Sequence, residues 1–241
     1  MSRPTGARPA VVLFGDCFSM FNEPRIGLAA GRVLARLGYE VVLASKGCCA
    51  RPKTSLGLLE EAITEADRTL ASLAPLVEHP SVRAIVTLEP SCLSAFKDDW
   101  LKLKLKTAMQ TRKGLAAKSM LIEDFVEREW ERHPSRPEPS PSLRDACLGP
   151  LLVHGHCHQK ALWGAETTSR VLTRLYGPRV RVLDSGCCGM ARAFGFDAAR
   201  YDVSMRIGEL SLLPAARANE AMGGTLAAPG TSCRHQALDG A

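Results

Sequence analysis

The sequence is poor in aromatic residues and has no long hydrophobic run. Phe, Trp and Tyr make up 5% of the 241 residues, which favours a helical shell rich in Ala and Leu over a β-sandwich. No stretch approaches the roughly 18 apolar residues that a membrane-spanning helix needs. The first ten residues are polar and lack the apolar core of a signal peptide. We therefore expect a cytoplasmic protein.

Several metal-binding and nucleic-acid-binding signatures are also missing. The chain has no C-x-x-C pair, the usual start of a structural zinc site, and no ferredoxin run of the type C-x₂-C-x₂-C-x₃-C-P. The formal net charge is +6, but the basic residues are neither interleaved with aromatic ones nor placed at zinc-finger spacing. We therefore expect no nucleic-acid partner.

What the chain does have is cysteine, nine residues in all. In a reducing compartment, clustered thiols indicate metal or redox chemistry more than a disulfide framework. The pairs Cys48–Cys49 and Cys187–Cys188 are adjacent in sequence. A disulfide within such a pair would be strained, because neighbouring Cα atoms lie only about 3.8 Å apart.

The cysteines form an internal repeat. Each half of the chain has a Gly-x-Cys, then an adjacent pair, then a Ser-Cys. The first and second cysteines are separated by 30 residues in one half and 29 in the other, and the third and fourth by 42 and 44. The two sets are Cys17, Cys48, Cys49 and Cys92, and Cys157, Cys187, Cys188 and Cys233. Cys147 stands outside this scheme.

The pattern around the cysteines predicts an α/β fold of two repeated β-α-β-α-β units with parallel sheets. In the first unit we expect strands at 10–14, 40–44 and 82–88, and helices at 24–37 and 56–73. In the second we expect strands at 149–154, 180–184 and 225–228, and helices at 161–176 and 199–218. Residues 1–132 would form the first unit with extra helices, 133–147 a proline-rich linker, and 148–241 the second unit.

Every matched cysteine lies just past the carboxyl end of a predicted strand. In open α/β sheets this edge is where ligands and cofactors bind, so we expect four thiols to converge in each unit. Four thiolates suit either an iron–sulfur cluster or a zinc site. The missing C-x-x-C and the glycines Gly47, Gly186 and Gly189, which allow a tight loop, favour the cluster.

Basic and polar residues surround the second set of cysteines. His154, His156 and His158 flank Cys157, and His235 follows Cys233. We expect these residues to tune the second cluster through N–H···S contacts and charge, with a histidine ligand as the alternative. The residues nearest that cluster are the main candidates. These are His156, His158, Lys160, Gly189 and His235, with Arg234 a further candidate.

These motifs resemble the cysteine-rich "CCG" domain pair that occurs in heterodisulfide reductase and in the iron–sulfur subunits of glycolate, lactate and anaerobic glycerol-3-phosphate dehydrogenases. The second half is most similar to the C-terminal region of large FAD-linked oxidases acting on 2-hydroxy acids. The resemblance is carried by Cys17, Cys48-Cys49 with Arg51-Pro52, Glu89-Pro90-Ser91-Cys92, HGHCHQK from His154 to Lys160, GCCGMA from Gly186 to Ala191, and Phe194-Gly195-Phe196.

The resemblance implies an electron-transfer module with one or two iron–sulfur clusters of the 4Fe–4S type, bound by the eight matched cysteines. It implies FAD on a partner chain or missing domain, so the chain by itself would lack complete activity. The expected partners are a flavin-containing dehydrogenase subunit and a ferredoxin-type iron–sulfur domain. A quinone acceptor would place the module at the inner face of the membrane, as a peripheral protein.

The sequence departs from the family pattern at several positions. Heterodisulfide reductase has a fifth cysteine in each half, where this chain has Ala95 and Gln236. Ala50 and Arg192 replace glycines, and the sequence leads us to expect no helix after the last strand.

Two other functions compete with electron relay. The module could itself reduce a disulfide or a quinone at its own cluster. Alternatively, it could be a zinc-stabilised or metal-free interaction domain.

Overall fold

The computed structural model describes residues 3–45, 47–138, 149–191 and 194–241. The chain divides into two compact units, Met1–Pro137 and Glu138–Ala241. Cys147, Arg192 and the later part of the predicted linker lie outside the described residues.

The first unit is a parallel four-stranded sheet covered by helices on both faces. Its strands run in the order β2-β1-β3-β4 and all pair in parallel. They are β1 (Ala10–Phe14), β2 (Glu40–Ala44), β3 (Val82–Thr87) and β4 (Ser119–Leu121). Its helices are α1 (Pro24–Arg36), α2 (Arg51–Ser55), α3 (Leu59–Val77), α4 (Pro90–Ser94), α5 (Trp100–Lys102), α6 (Met109–Lys118) and α7 (Ile122–Arg128).

Strand β1 forms the centre of this unit, and all five of its residues are buried. Because alternate residues of a strand face opposite sides, Val12 and Phe14 pack with α3 and α6, whereas Val11 and Leu13 pack with α1 and α7. Helix α1 begins at a proline, which suits a first turn, and the chain leaves it through Gly38 at a φ of +91°. A near-continuous apolar run is what a strand buried on both faces requires.

The second unit repeats strands β1, β2 and β3 of the first. Its sheet has the order β6-β5-β7 and is also parallel, so β5, β6 and β7 correspond to β1, β2 and β3. The strands are β5 (Leu151–His154), β6 (Val180–Leu183) and β7 (Thr225–Ala227). The helices are α8 (Cys157–Leu162), α9 (Glu166–Tyr176), α10 (Tyr201–Gly208), α11 (Leu212–Ala221) and α12 (Thr231–Gly240).

The predicted α/β class, the parallel sheets and the repeated units are confirmed. Three predicted details are wrong. The helix expected over 161–176 is two helices, because Gly164 at a φ of +80° interrupts it. The helix expected over 199–218 is also two, α10 and α11. The last strand is followed by a helix after all, α12, and this helix carries Cys233.

Among the residues that the structure describes, no helix combines the length and the apolar character needed to cross a bilayer.

Candidate functional site

In each unit the four matched cysteines lie in the three loops that leave the carboxyl ends of the three equivalent strands. In the first unit Cys17 follows β1, Cys48 and Cys49 follow β2, and Cys92 lies in α4 after β3. Since β1 lies between β2 and β3, these loops meet at the point where the chain switches from one side of β1 to the other. Such a switch point is the usual binding crevice of an open α/β sheet.

The four thiols of the first unit form a connected set. The Sγ atoms of Cys17 and Cys48 lie 3.9 Å apart, and those of Cys92 and Cys49 lie 3.1 Å apart. A thiol–thiol hydrogen bond also joins Cys48 to Cys49. Cys17 is exposed and Cys48 half-buried, whereas Cys49 and Cys92 are buried. The set therefore runs from the protein surface into the core.

Backbone geometry turns both members of the adjacent pair toward this set. Gly47 has a φ of +114° and Ala50 a φ of +59°, and the N–H of Ala50 donates to the Sγ of Cys48 at 3.4 Å. Thr69 of α3 fixes the loop through two hydrogen bonds. Its hydroxyl accepts from the N–H of Cys48 and donates to the carbonyl of the same residue, both at 3.0 Å. A side chain at Gly47 would overlap Thr69.

Buried aromatic side chains also support the loop that carries Cys48 and Cys49. The indole N–H of Trp100 donates to the carbonyl of Cys49 at 3.2 Å. Trp100 packs on Phe96, with ring centroids 4.5 Å apart, and Phe96 packs edge-on to Phe14 at the end of β1. All three rings are fully buried, so the segment after Cys92 anchors the loop that carries Cys49.

The second unit builds the same set. Thiol hydrogen bonds run from Cys157 to Cys187, from Cys187 to Cys188 and from Cys188 to Cys233. The N–H of Gly189 donates to the Sγ of Cys187 at 3.4 Å, as that of Ala50 does to Cys48. Gly189 has a φ of +103°. Gly47 and Gly189 therefore adopt backbone conformations that only glycine adopts readily. Gly186 does not, because its φ is not in the left-handed region.

The hydrogen bonds between thiols shift their pKa values in alternation. The hydrogen bond between Cys17 and Cys48 lowers the pKa of Cys48 and raises that of Cys17, and the hydrogen bond between Cys157 and Cys187 lowers the pKa of Cys187 and raises that of Cys157. At Cys233 the hydrogen bond with Cys188 and the imidazoles of His154 and His156 lower the pKa to about 5 against the effect of burial. Both sets can therefore supply thiolates.

The residues predicted to surround the second cluster lie in three places. His156 accepts from the N–H of His158 at the start of α8, and its Nδ1 lies 4.0 Å from the Sγ of Cys157. Lys160 donates to the carbonyls of Ser185 and Gly186, in the loop leading to Cys187. His235 packs edge-on against Phe196.

His154, one of the histidines that the sequence places around Cys157, is fully buried at the end of β5 and hydrogen-bonds through Nδ1 to Ser185 at 2.8 Å. Its imidazole is one of the groups that lower the pKa of the Cys233 thiol. Asp16 and Glu89 are buried acids beside the first set. Thr69 could have been found as the one polar residue on the buried face of α3.

The positions where heterodisulfide reductase has a fifth cysteine are occupied differently. Ala95 is fully buried. Gln236 is buried as well, and its amide donates to the carbonyl of Ser204 in α10 at 2.9 Å. The Gln236 side chain therefore fastens α12 to α10, and neither position offers a thiol.

The donor set suits an iron–sulfur cluster, because four thiols from three loops meet at one edge and thiolates are the ligands that such clusters take. As the thiols stand, hydrogen-bonded to one another, no group of three or more His, Cys, Asp or Glu side chains within the described residues is arranged to hold a metal ion. The residues fit a cluster because all four donors of a unit are thiols and because they lie at the same edge of its sheet.

Comparison with known proteins finds a matching family model and several relatives. A family model described as the CCG cysteine-rich domain matches residues 11–97. One of the subunits of anaerobic glycerol-3-phosphate dehydrogenase from Escherichia coli (strain K12) is 27% identical over 199 residues, which are 82% of this chain and 48% of that protein. D-2-hydroxyglutarate dehydrogenase of Pseudomonas putida is 26% identical over 210 residues, 86% of this chain and 19% of that protein.

A third relative is nearer to this chain in length. Lactate utilization protein A of Macrococcus caseolyticus is 26% identical over 189 residues, 76% of this chain and 71% of that protein. The chain thus spans about half or less of the length of the two dehydrogenase relatives and most of the third. In all three, the aligned region extends well beyond the part matched by the family model.

Proposed function

We propose that this chain, whose residues 11–97 match the model of the CCG cysteine-rich domain, is an iron–sulfur electron-transfer module of an FAD-linked dehydrogenase of 2-hydroxy acids. In this role it takes electrons from the flavin of a partner subunit or domain, with a ferredoxin-type iron–sulfur domain as a further partner. It passes them toward a quinone or another acceptor. The module works in the cytoplasm, and a quinone acceptor would bring it to the inner face of the membrane.

The observation that carries this proposal is the convergence of four thiols at the carboxyl edge of each sheet. Each set combines one cysteine after the central strand, an adjacent pair and one cysteine in a helical turn. When bound, the cluster supplies one-electron redox chemistry, most simply as a 4Fe–4S centre. The proposed ligands are Cys17, Cys48, Cys49 and Cys92 in the first unit, and Cys157, Cys187, Cys188 and Cys233 in the second.

The chain's own residues have definite tasks in this function. Thr69 and Trp100 hold the backbone of the first adjacent pair, so both thiols stay on one side of the loop. The N–H groups of Ala50 and Gly189 donate to cysteine sulfur, and such contacts stabilise negative charge on a cluster. Burial of Cys49, Cys92, Cys188 and Cys233 keeps water from the inner side of each centre.

The test is anaerobic purification followed by reconstitution with iron and sulfide. We expect a brown protein with about four irons and four sulfides per occupied unit, as a 4Fe–4S centre requires, and a low-temperature EPR signal on reduction. A folded protein that stays colourless and free of iron after reconstitution would refute the proposal. Stoichiometric zinc without iron would instead support a zinc-stabilised interaction domain.

Relay and catalysis are separated by a second measurement. An artificial donor is used to reduce the loaded protein, which is then mixed with a quinone or a disulfide, with Cys188→Ser as the matched variant. A relay has no binding site of its own for the acceptor, so its rate rises in proportion to the concentration of either compound and does not saturate. Saturable, Cys188-dependent turnover with either one would mean that the module is itself a reductase.

A further inference from the structure

The central strand of each unit ends at a fully buried ring. Strand β1 ends at Phe14 and strand β5 at His154, and each ring stands three residues before the first cysteine of its set. Phe14 packs edge-on to Phe96, an apolar partner for an apolar ring. His154 is just as buried but carries two polar nitrogens. Its burial therefore requires hydrogen bonds that Phe14 does not need.

One nitrogen of His154 has a clear partner. Its Nδ1 lies 2.8 Å from the hydroxyl oxygen of Ser185, in the loop that leads from β6 to Cys187. Lys160 holds the same loop, because its ammonium group donates to the carbonyls of Ser185 and Gly186. The imidazole is thus fixed between the end of the central strand and the loop that carries the adjacent pair.

The other nitrogen of His154 is directed to the fourth cysteine of the set. Nε2 is buried and has no hydrogen-bond partner among the residues that the structure describes. The same imidazole acts on the Cys233 thiol in α12 and lowers its pKa. Because Nδ1 lies against Ser185, Nε2 is the ring atom that can serve Cys233. A buried N–H without an acceptor costs about 1–3 kcal/mol, so an acceptor with negative charge is favoured here.

The second histidine that lowers the pKa of Cys233 is held elsewhere. His156 acts on this thiol through its charge. Its Nδ1 accepts from the N–H of His158 at 3.2 Å, and its ring lies against Gly230. His156 therefore belongs to the first turn of α8, and His154 is the better-placed donor to the sulfur of Cys233.

The role of His154 follows from the cluster of the proposed function, on which this inference rests. A sulfur bound to iron has no proton to donate, so it can only accept a hydrogen bond. We propose that His154 is a positioning residue of the second centre, whose Nε2–H donates to the sulfur of Cys233 while the Ser185 hydroxyl donates to Nδ1. The partner of one ring nitrogen decides which nitrogen carries the proton, so Ser185 sets the tautomer that Cys233 needs.

Such a hydrogen bond changes the redox equilibrium of the centre. Reduction adds one negative charge to an iron–sulfur cluster, and hydrogen bonds to its sulfur atoms stabilise that charge. The reduced flavin of the partner supplies the electron, and no atom or proton is transferred. The bond from His154 therefore favours the reduced form and raises the midpoint potential of the centre that Cys233 binds. A phenyl ring at this position, as at Phe14 in the first unit, provides no N–H.

The experiment is an anaerobic redox titration of the reconstituted full chain, followed by EPR. His154→Phe should lower one midpoint potential, with a change of about tenfold in that reduction equilibrium, which is about 59 mV for a one-electron couple. His154→Gln places an amide N–H near the position of Nε2 and should restore most of the wild-type potential. Ser185→Ala removes the partner of Nδ1 and should lower the same potential by a smaller amount.

His133→Phe is the matched control. His133 is a buried histidine of the first unit, and its ring nitrogens contact the Tyr39 hydroxyl and the carbonyl of Val126. Its replacement removes an imidazole that contacts no cysteine, so it should move no potential. If His154→Phe does not fold, Ser185→Ala still tests the inference through the smaller shift.

Pulsed EPR of the reduced protein separates a hydrogen bond from a bond to iron. We expect a weakly coupled imidazole nitrogen that is absent from His154→Phe. A strongly coupled nitrogen lost in that variant would make His154 an iron ligand and overturn the inference. Unchanged potentials in a folded, iron-loaded His154→Phe, or in Ser185→Ala if it alone folds, would overturn it as well. These results leave the proposed function standing, whereas an iron-free protein refutes that function itself.

Discussion

Gly189 lies in the loop that presents Cys187 and Cys188, and its φ of +103° is one that residues with side chains rarely adopt. A Cβ at this position would also overlap the carbonyl oxygen of Ser204. We expect Gly189→Ala to lower the free energy of unfolding by about 3 kcal/mol, through backbone strain and overpacking. The measurement is the urea midpoint of the metal-free protein.

The control for this substitution lies three residues earlier. Gly186→Ala places a methyl group where nothing lies within 4 Å, and the φ of Gly186 is not in the left-handed region. It should change stability by less than about 0.5 kcal/mol, as surface substitutions usually do. Equal urea midpoints for the two variants would contradict the conformation of the loop.

The thiols of the metal-free protein should differ in reactivity in a way that exposure alone does not explain. Cys17 is the exposed thiol of the first set, but its hydrogen bond with Cys48 raises its pKa. The pKa of Cys48 is lowered by that hydrogen bond, so Cys48 stays a thiolate at pH values where an ordinary thiol is protonated. Thiolates are the form that alkylating reagents attack.

We therefore expect iodoacetamide at pH 6 to label Cys48 before Cys17, and Cys187 before Cys157. Tandem mass spectrometry of digested protein locates the label within each adjacent pair. Faster labelling of the exposed Cys17 would show that accessibility, and not the hydrogen bonds between thiols, controls these cysteines.

At the scale of elements, the segment from α4 to α5 acts as a support for the adjacent pair of the first unit. Two contacts join this segment to that pair, the one between the Sγ atoms of Cys92 and Cys49 and the hydrogen bond from Trp100 to the carbonyl of Cys49. Trp100→Phe keeps an aromatic ring but leaves a buried carbonyl without its donor, which costs about 1–3 kcal/mol. We expect a loss of that size in chemical denaturation.

Trp163→Phe is the matched change for this prediction. The indole nitrogen of Trp163 is buried without a hydrogen-bond partner among the described residues, so its loss removes no hydrogen bond. Trp163→Phe should therefore cost about 2 kcal/mol less than Trp100→Phe. If both variants lose the same stability, the support comes from ring packing rather than from the hydrogen bond.

The sequence predicts the repeated strands well because they are short apolar runs ended by glycine-rich loops. The predicted strands at 10–14 and 40–44 have the bounds that the structure shows. Strand β4, with three residues between two helices, is too short to give a periodic pattern, so the sequence predicts only helices in that region. Helix α12 was missed because its polar and small residues show no apolar periodicity.

The part of the candidate site that could be predicted from the sequence is the set of cysteines, because their spacing repeats. The placement of all eight cysteines just beyond strand ends follows from pattern and topology. The supports of the adjacent pairs were not predictable, because Thr69 and Trp100 reach them from 21 and 51 residues away in sequence. The one signal that could have indicated Thr69 is that it is a polar residue on the buried face of a helix.

At the scale of the whole molecule, the two thiol sets should load independently. Cys17→Ala and Cys157→Ala change the equivalent cysteine of each set, and neither residue is fully buried, so both variants should fold. Each should lose about half of the iron bound by the wild-type chain, because a cluster of this type needs its four thiolates. The double variant should lose nearly all of it.

The measurement is the iron and sulfide content of the reconstituted wild type and variants. Circular dichroism checks that each variant is folded. Loss of all iron in either single variant would mean that the eight cysteines serve one shared centre. Unchanged iron in Cys17→Ala would mean that the first unit binds no cluster.

The separation of the thiols along the chain also sets the order of events when the protein is made. Cys17 and Cys48 are 31 positions apart, and Cys49 and Cys92 are 43 apart, and they meet only once three parallel strands have paired. Such non-local pairing forms late in folding, unlike the short zinc knuckle that metal itself folds. If the thiols hold the proposed clusters, maturation of this protein delivers iron and sulfide to a sheet that already exists. The exposed Cys17 is then the point at which a donor protein can first reach the set in the first unit.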